Sequence, residues 1–223
     1  MDLIRKYRPL AFGDMVGQGA AVAYLSGFAG SPYSSSFLFA GPTGTGKTTA
    51  AHALARALGC VVDQRELGGL HEIASGEQTG ESVRQKLKSM WNCPMFGSGW
   101  KVLVVNECDE MSTNAAIVWL DALEHLPAKT VVVFTTNKSA SLPARFRDRC
   151  DEVEFRGNAD NLPAARDLVA RVWRGEGRTD PVPDVPLDDL LEDGAISYRR
   201  AVNWVSKRLR AVASEQAPAR KWW

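Results

Sequence analysis

The glycine-rich segment 41–48 limits the fold of this chain more than any other feature. It matches G-x-x-x-x-G-K-[ST] at every fixed position, between a short apolar run and an alanine-rich helical pattern, which argues against a chance glycine loop. Glycines let backbone N–H groups close around phosphates, and the next helix offers its positive dipole end. We therefore predict that Lys47 reaches the β- and γ-phosphates of ATP and that Thr48 ligates Mg²⁺. The predicted contacts here are Gly41, Pro42, Thr43, Gly44, Thr45, Gly46, Lys47, Thr48 and Thr49.

Apolar runs alternate with helical patterns from Phe37 to Phe155. The runs have the length and continuous apolar character of strands covered on both faces, as in a parallel sheet. Strands separated by helices predict a doubly wound α/β fold. Ser112 and Asn114 are candidate caps of the second predicted helix. We predict strands over 37–40, 102–105 and 131–134, and helices over 48–58 and 115–126.

The composition changes after Arg156. Helical patterns over 162–174, 187–191 and 197–209, with a proline-containing loop over 179–186, predict a small all-helical second domain. The predicted organisation is a P-loop ATPase domain over 1–156, a helical lid over 157–210 and a tail over 211–223. The end of that tail, Gln216 to Trp223, places Arg220 and Lys221 ahead of two tryptophans.

Composition excludes several other classes of protein. The formal net charge is +1, so any contact with nucleic acid must come from a local basic patch. The four cysteines form no C-x-x-C pair, which favours reduced, mostly buried thiols over a zinc site. No apolar run is long enough to span a membrane, and no signal-peptide pattern begins the chain. We expect a cytoplasmic protein, or a nuclear or host-cell cytoplasmic one if its source is eukaryotic or viral.

An acidic group follows the apolar run 102–105. Glu107 lies where a carboxylate beside a phosphate loop can polarise an attacking water, although a solvated carboxylate at a strand end is the alternative. P-loop ATPases usually have Asp just before this Glu, whereas this chain has Asn106. Its amide can still hydrogen-bond a magnesium-bound water or Thr48 but carries no charge, so we expect weaker metal affinity or slower turnover. Asp109 can restore part of the missing charge.

With these motifs, residues 5–209 resemble the AAA+ ATPases of the clamp-loader clade, which includes replication factor C small subunits and their phage counterparts. Arg5 to Pro9 and Phe12 to Gln18 are similar to the N-terminal signature of that family. The resemblance implies that this signature contacts adenine, through Tyr7, Arg8, Val16 and Gly17. Residues 106–109 stand where the family has its D-E-A-D box. Residues 135–137, Thr-Thr-Asn, resemble the end of the sensor 1 strand, which implies that Asn137 orients the attacking water or bonds the γ-phosphate.

The resemblance also implies two arginines that act on the γ-phosphate. Residues 148–150, Asp-Arg-Cys, stand where clamp loaders carry Ser-Arg-Cys, so Arg149 is the implied arginine finger for the site of a neighbouring subunit. Arg145 and Arg147 are rival candidates, and a solvated basic loop is the alternative. Residues 194–203 resemble the sensor 2 helix, with Arg199 reaching the γ-phosphate of its own site. A plain surface arginine is the alternative there.

The implied partners are other AAA+ subunits in a pentamer-like ring or spiral, a sliding clamp and primer–template DNA. Arg84, Lys86 and Lys88 lie on a predicted helix in the region that resembles the family's DNA-facing helix, although a solvated helix face fits them equally well. The chain departs from clamp loaders in lacking a collar domain after Leu209 and the zinc module of bacterial subunits. There are three alternatives: the ring assembles through its ATPase domains alone, other subunits supply the collar, or the sequence is a shortened form.

Three functions follow from these features. The first is an ATP-hydrolysing, Mg²⁺-dependent clamp-loader subunit that acts on DNA during replication. The second is a remodelling or repair ATPase of the same clade with another client. The third is a nucleotide-binding structural subunit whose Asn106 has weakened hydrolysis.

Overall fold

The computed structural model describes residues 2–215 of the chain. They form two compact units. The larger unit contains residues 9–42 and 46–156, and the smaller unit contains residues 2–8, 43–45 and 157–215. The predicted terminal segment Gln216 to Trp223 lies outside the described residues. Between residues 2 and 215, none of the helices combines the length and the apolar character needed to cross a membrane.

A parallel sheet of five strands forms the centre of the larger unit. Its strands are β1 (Ser35–Ala40), β2 (Leu70–Ile73), β3 (Lys101–Val105), β4 (Thr130–Thr136) and β5 (Asp151–Glu154). They lie in the order β2-β3-β4-β1-β5. Ala40 pairs with Thr136 and Val105 pairs with Phe134, so the carboxyl ends of β1, β3 and β4 share one edge of the sheet. Ligands of open parallel sheets bind at this edge.

Both faces of the three central strands β1, β3 and β4 are buried, as the sequence predicts. Phe37 and Phe39 pack on one face with Leu54, while Leu38 faces the other side. On that second face the Trp119 ring packs edge-on against Phe134, with ring centroids 4.9 Å apart. Alternate residues of β1, β3 and β4 therefore supply two separate cores. The predicted doubly wound α/β fold is confirmed.

Nine helices are present between residues 2 and 215. They are α1 (Leu3–Lys6), α2 (Gly19–Gly30), α3 (Lys47–Ala57), α4 (Gly80–Ser89), α5 (Thr113–Glu124), α6 (Ala144–Arg147), α7 (Leu162–Gly175), α8 (Leu187–Leu190) and α9 (Tyr198–Glu215). The side chain of Ser112 caps α5 by accepting a hydrogen bond from the Ala115 N–H, 3.1 Å away. Asn114 lies inside that helix, so its prediction as a cap is wrong.

The smaller unit is not all-helical, which corrects a prediction. Two short antiparallel strands, β6 (Leu191–Glu192) and β7 (Ala195–Ile196), form a hairpin between α8 and α9. The turn residues Asp193 and Gly194 have φ of 52° and 78°. Asp-Gly is a favoured pair for such a turn, so the signal was present in the sequence. Helix α9 also continues to Glu215, past residue 209 where the predicted helix ends.

Candidate functional site

The segment 41–48 forms a tight loop between β1 and α3. Gly41 has φ of +151°, and a Cβ there would lie 2.0 Å from the carbonyl oxygen of Phe155. Gly44 has φ of +76°, and a Cβ there would lie 1.9 Å from Ser197 Oγ, a neighbour in the smaller unit. Side chains are therefore excluded from both positions. The loop presents backbone rather than side chains, which is the form of a phosphate cradle.

Lys47 lies at the start of α3 and is only 8% exposed. Its Nζ donates to the carbonyl oxygens of Gly41 at 2.7 Å and Pro42 at 2.8 Å. A third bond, of 2.8 Å, goes to Asn137 Oδ1, just after the end of β4. The ammonium is thus held at the mouth of the loop by neutral oxygens. A phosphate oxygen would be a stronger acceptor than any of these, because its bond to Lys47 is between opposite charges.

The hydroxyl of Thr48 donates to Asn106 Oδ1 at 2.9 Å, which joins the start of α3 to the end of β3. Both groups offer oxygen atoms, the ligands that Mg²⁺ prefers, so the pair fits a magnesium site reached directly or through water. Asp109, nearby in the chain, accepts a 2.8 Å hydrogen bond at Oδ1 from Thr136 Oγ1 on β4. The carboxylate of Asp109 is therefore held by a different strand.

Glu107 follows Asn106 at the same edge, and its side chain is exposed. Its backbone lies in the left-handed region, with φ of 53° and ψ of 54°. Thr135 Oγ1 accepts the Glu107 N–H at 3.1 Å, and Gln78 Nε2 donates to the Glu107 carbonyl oxygen at 3.0 Å. The structure therefore brings together Lys47, Thr48, Asn106, Glu107 and Asn137 at one edge of the sheet.

The predicted adenine contacts are divided between the two units. Tyr7 and Arg8 belong to the smaller unit, where the Tyr7 hydroxyl donates to Glu176 Oε1 at 2.8 Å. Val16 and Gly17 belong to the larger unit, next to Gln18. The buried Gln18 amide makes paired hydrogen bonds with the backbone of Arg156, of 2.7 and 3.0 Å. The role of these residues toward adenine stays a prediction.

Comparison with known proteins places this geometry in a family. The profile of the ATPase family associated with various cellular activities (AAA) matches residues 37–158, more than half of the chain. The chain belongs to the AAA family. The matched segment contains the phosphate loop, the end of β3 with Glu107, and Asn137.

Individual relatives of this AAA protein include replication factor C subunits. It is 29% identical over 205 residues to the replication factor C small subunit of Methanoculleus marisnigri, which covers 90% of this chain and 61% of that protein. It is 32% identical over 215 residues to the replication factor C large subunit of Methanocorpusculum labreanum. That match covers 91% of this chain and 41% of the large subunit. Its fold is similar to that of the Thermotoga maritima RuvB Holliday junction branch migration motor, with a TM-score of 0.74 and 19% identity. The superposition covers 95% of this chain and 68% of the RuvB chain.

Arg149, the implied arginine finger of this AAA domain, lies just after α6 and away from the phosphate loop in sequence. Its guanidinium pairs with Glu124, the last residue of α5, through Nε at 3.1 Å and through Nη2. Its Nη1 donates to the carbonyl oxygen of Arg145 at 2.8 Å. Ser36 Oγ donates to the Arg149 carbonyl oxygen at 2.5 Å, so both the backbone and the head of Arg149 are held.

Arg199 is exposed and is the second residue of α9. The N–H of Tyr198, one residue earlier, donates to the carbonyl oxygen of Gly44 at 3.0 Å within the smaller unit. The start of α9 is therefore in contact with the tip of the phosphate loop. That contact is made by the backbone and not by the Arg199 side chain, so the role of Arg199 as sensor 2 stays a prediction.

The predicted DNA-contacting residues all lie on α4. Arg84 and Lys88 are exposed and four residues apart, so they share one face of the helix. Lys86 forms an ion pair with Glu66. Four large apolar side chains are exposed in the segments before and after α4, and we refer to them as the apolar cluster: Leu67, Trp91, Met95 and Phe96. The Phe96 N–H donates to the Leu67 carbonyl oxygen at 3.0 Å, which brings the two segments together.

The cysteines give no sign of thiol chemistry. Cys60 and Cys108 are buried, Cys150 is half-buried and Cys93 is exposed, and all four are free thiols. Burial raises the pKa of Cys60 to about 11 and that of Cys150 to about 12, and it raises the pKa of Cys108 as well. These three thiols stay protonated near neutral pH, which makes them poor nucleophiles.

Proposed function

We propose that this chain is the ATP-hydrolysing, Mg²⁺-dependent subunit of a clamp-loader-type assembly that loads a sliding clamp at primer–template junctions during DNA replication. One observation carries the ATPase part of the proposal: Lys47 bonds Asn137 while Thr48 bonds Asn106, at the carboxyl edge of the sheet. The cation, a polar oxygen pair suited to a metal, and Glu107 therefore surround one loop. The similarity to replication factor C subunits supports the clamp-loading part.

Each residue has a role that follows from its position. The loop backbone from Gly41 to Thr48 binds phosphate oxygens, and Lys47 moves its hydrogen bonds from neutral carbonyls to the γ-phosphate. Thr48 and, through water, Asn106 would hold Mg²⁺, which would supply positive charge to neutralise the phosphates. Glu107 accepts a hydrogen bond from the attacking water and polarises it. The Asn137 amide, which Lys47 releases, orients that water or the γ-phosphate.

We propose that Arg149 acts on the ATP site of a neighbouring subunit. Its contacts with Glu124 and Arg145 use one edge of the guanidinium and one further N–H, and a guanidinium has five N–H donors in all. The remaining donors suit a phosphate oxygen supplied from outside the chain. Arg199 would contact the γ-phosphate in the same subunit, which would make the start of α9 sensitive to bound nucleotide.

Two surfaces of the larger unit support macromolecular partners. Arg84 and Lys88 offer two exposed cations on one helix face, which suits the phosphates of primer–template DNA, whereas Glu66 partly neutralises Lys86. In the apolar cluster, Trp91 is 70% exposed and Met95 is 72% exposed. Exposed apolar side chains that lie together mark protein-binding surfaces, and the backbone contact between Phe96 and Leu67 brings two of the four together. In the proposed assembly the sliding clamp is their partner.

A second candidate is a nucleotide-binding structural subunit with weak hydrolysis. The 2.9 Å bond from Thr48 to Asn106 favours it, because an amide occupies the place of a charged metal-holding group. The nearby carboxylate of Asp109 accepts its hydrogen bond from Thr136 and not from Thr48. This candidate keeps ATP binding and loses most of the turnover.

The deciding experiment measures the steady-state ATPase rate with and without primed DNA and a sliding clamp from the same source. We expect both to raise the rate, and the Glu107→Gln control to lower it by about 100-fold or more. Binding of ATP without DNA-stimulated turnover would instead favour the structural subunit. Co-purification with a client other than a clamp would favour a remodelling or repair ATPase.

A further inference from the structure

The backbone at Glu107 is in a conformation that needs support. A non-glycine residue in the left-handed region is uncommon and persists only when its surroundings hold it there. Here that residue directly follows Asn106 at the end of β3 and carries the carboxylate proposed to polarise water. The direction of its side chain depends on the two peptide planes on either side of its Cα atom. Whatever fixes those planes also aims the carboxylate.

The side chain of Gln78 forms hydrogen bonds with both of these peptide planes. Its Nε2 donates to the carbonyl oxygen of Asn106 and, at 3.0 Å, to that of Glu107. The amide NH₂ group has two hydrogens, so it can donate one to each of the two successive carbonyls. The opposite orientation of this amide would direct its oxygen at two other oxygens, so the contact fixes which atom faces Glu107.

Gln78 is itself held firmly. It is 4% exposed, and its backbone carbonyl oxygen accepts a 3.3 Å hydrogen bond from the N–H of Ser112, just before α5. On the other side of Glu107, its N–H donates to Oγ1 of Thr135, a residue of β4 that is 3% exposed. Two buried polar side chains thus hold the N–H and the carbonyl oxygen of the same residue.

We propose that Gln78 is a positioning residue for ATP hydrolysis: by bonding the carbonyls of Asn106 and Glu107 it holds Glu107 in its left-handed conformation and aims the carboxylate at the attacking water, with Thr135 as its counterpart. The inference rests on the proposed function, because it assigns Gln78 a role through Glu107. The Gln78 amide bonds the end of β3 and not the phosphate loop, so it should affect turnover and not nucleotide affinity.

The test is Gln78→Met, which keeps the length of the side chain and removes both donors. We expect kcat without DNA to fall about 10-fold or more, since small displacements of a catalytic group are costly, with KM and ATP affinity within about twofold of the wild type. In a Glu107→Gln background the same substitution should change the residual rate by less than about twofold, because the two act as one unit. Gln85→Met, at an exposed position of α4, is the matched control.

Each outcome bears on a separate claim. A wild-type rate for Glu107→Gln would overturn the proposed role of Glu107 itself. An impaired Glu107→Gln beside a wild-type kcat for Gln78→Met would overturn the positioning role alone, and so would equal fold losses in the two backgrounds. If Gln78→Met fails to bind ATP, Thr135→Val decides instead: a lower kcat with unchanged ATP affinity, restored by Thr135→Ser, supports the inference, and an unchanged kcat refutes it.

Discussion

Lys47 and Arg149 are both proposed to bind phosphate, but their surroundings differ. Lys47 is buried and held by three neutral oxygens, whereas the Arg149 side chain is 34% exposed and paired with the carboxylate of Glu124. A buried cation held by neutral oxygens gains strongly from an arriving phosphate. An exposed cation that already has a carboxylate partner gains less, and salt screens it. The two regions should therefore differ in the size of their effects and in their response to salt.

Removal of the buried cation should have the largest effect. We expect Lys47→Ala to weaken ATP binding by about 100-fold or more, because charged hydrogen bonds to the phosphates contribute about 1.5–3 kcal/mol each. Titration with a fluorescent ATP analogue measures this loss. The control is Lys207→Ala, at an exposed position of α9, which should bind ATP as the wild type does. An affinity for Lys47→Ala within a few-fold of the wild type would contradict the assignment of the phosphate loop.

The phosphate loop was predictable from the sequence because its chemistry is local. Eight consecutive residues determine both the backbone shape and the position of Lys47, and the continuous apolar runs identify β1, β3 and β4. Strand β2 was not predicted, since His71 and Glu72 interrupt its apolar character. Strand β5, with three acidic residues out of four, was missed for the same reason.

The support around the site was not predictable in this way. Gln78 matters only because Glu107 adopts a left-handed backbone 29 residues later, and no local pattern in the sequence encodes that contact. The bond between Asp109 and Thr136 likewise joins two strand ends that become neighbours only in the folded sheet. Motifs therefore identify the groups proposed to touch the nucleotide, whereas the residues that hold those groups depend on the order of the strands.

A moderate effect is expected at the pair of Thr48 and Asn106, next to Lys47. Asn106→Asp keeps an acceptor for the Thr48 hydroxyl and adds a negative charge, and charged hydrogen bonds are about twice as strong as neutral ones. We expect tighter Mg²⁺ binding and about three- to tenfold faster turnover, equivalent to about 1 kcal/mol. Magnesium titrations of the ATPase rate measure both quantities. Asn92→Asp, on an exposed loop, adds the same charge elsewhere and should leave both unchanged without DNA. Equal rates for Asn106→Asp and the wild type would show that the amide costs nothing.

The smallest effect on the ATPase rate should come from the exposed ion pair of Arg149 and Glu124. It can be measured only in an assembly in which one subunit donates Arg149 to the site of another. A Glu107→Gln subunit can donate Arg149 without hydrolysing ATP, and an Arg149→Ala subunit can hydrolyse ATP without donating the arginine, so a mixture reports on the donated arginine. Glu124→Gln in the donor removes the charge that holds the guanidinium. Because exposed ion pairs contribute about 0.2–1 kcal/mol, we expect the rate of the mixture to fall by about 1.4- to 5-fold.

Salt dependence distinguishes this ion pair from a merely structural contact. The difference between donors with and without the Glu124→Gln substitution should shrink as ionic strength rises, because salt screens an exposed pair and leaves the buried contacts of Lys47 largely unaffected. Asp121→Asn, one turn earlier on α5 and also exposed, removes a like charge and should leave the rate of the mixture unchanged. A faster mixture with Glu124→Gln would instead mean that Glu124 competes with the phosphate for Arg149, so that docking must break the pair and not use it.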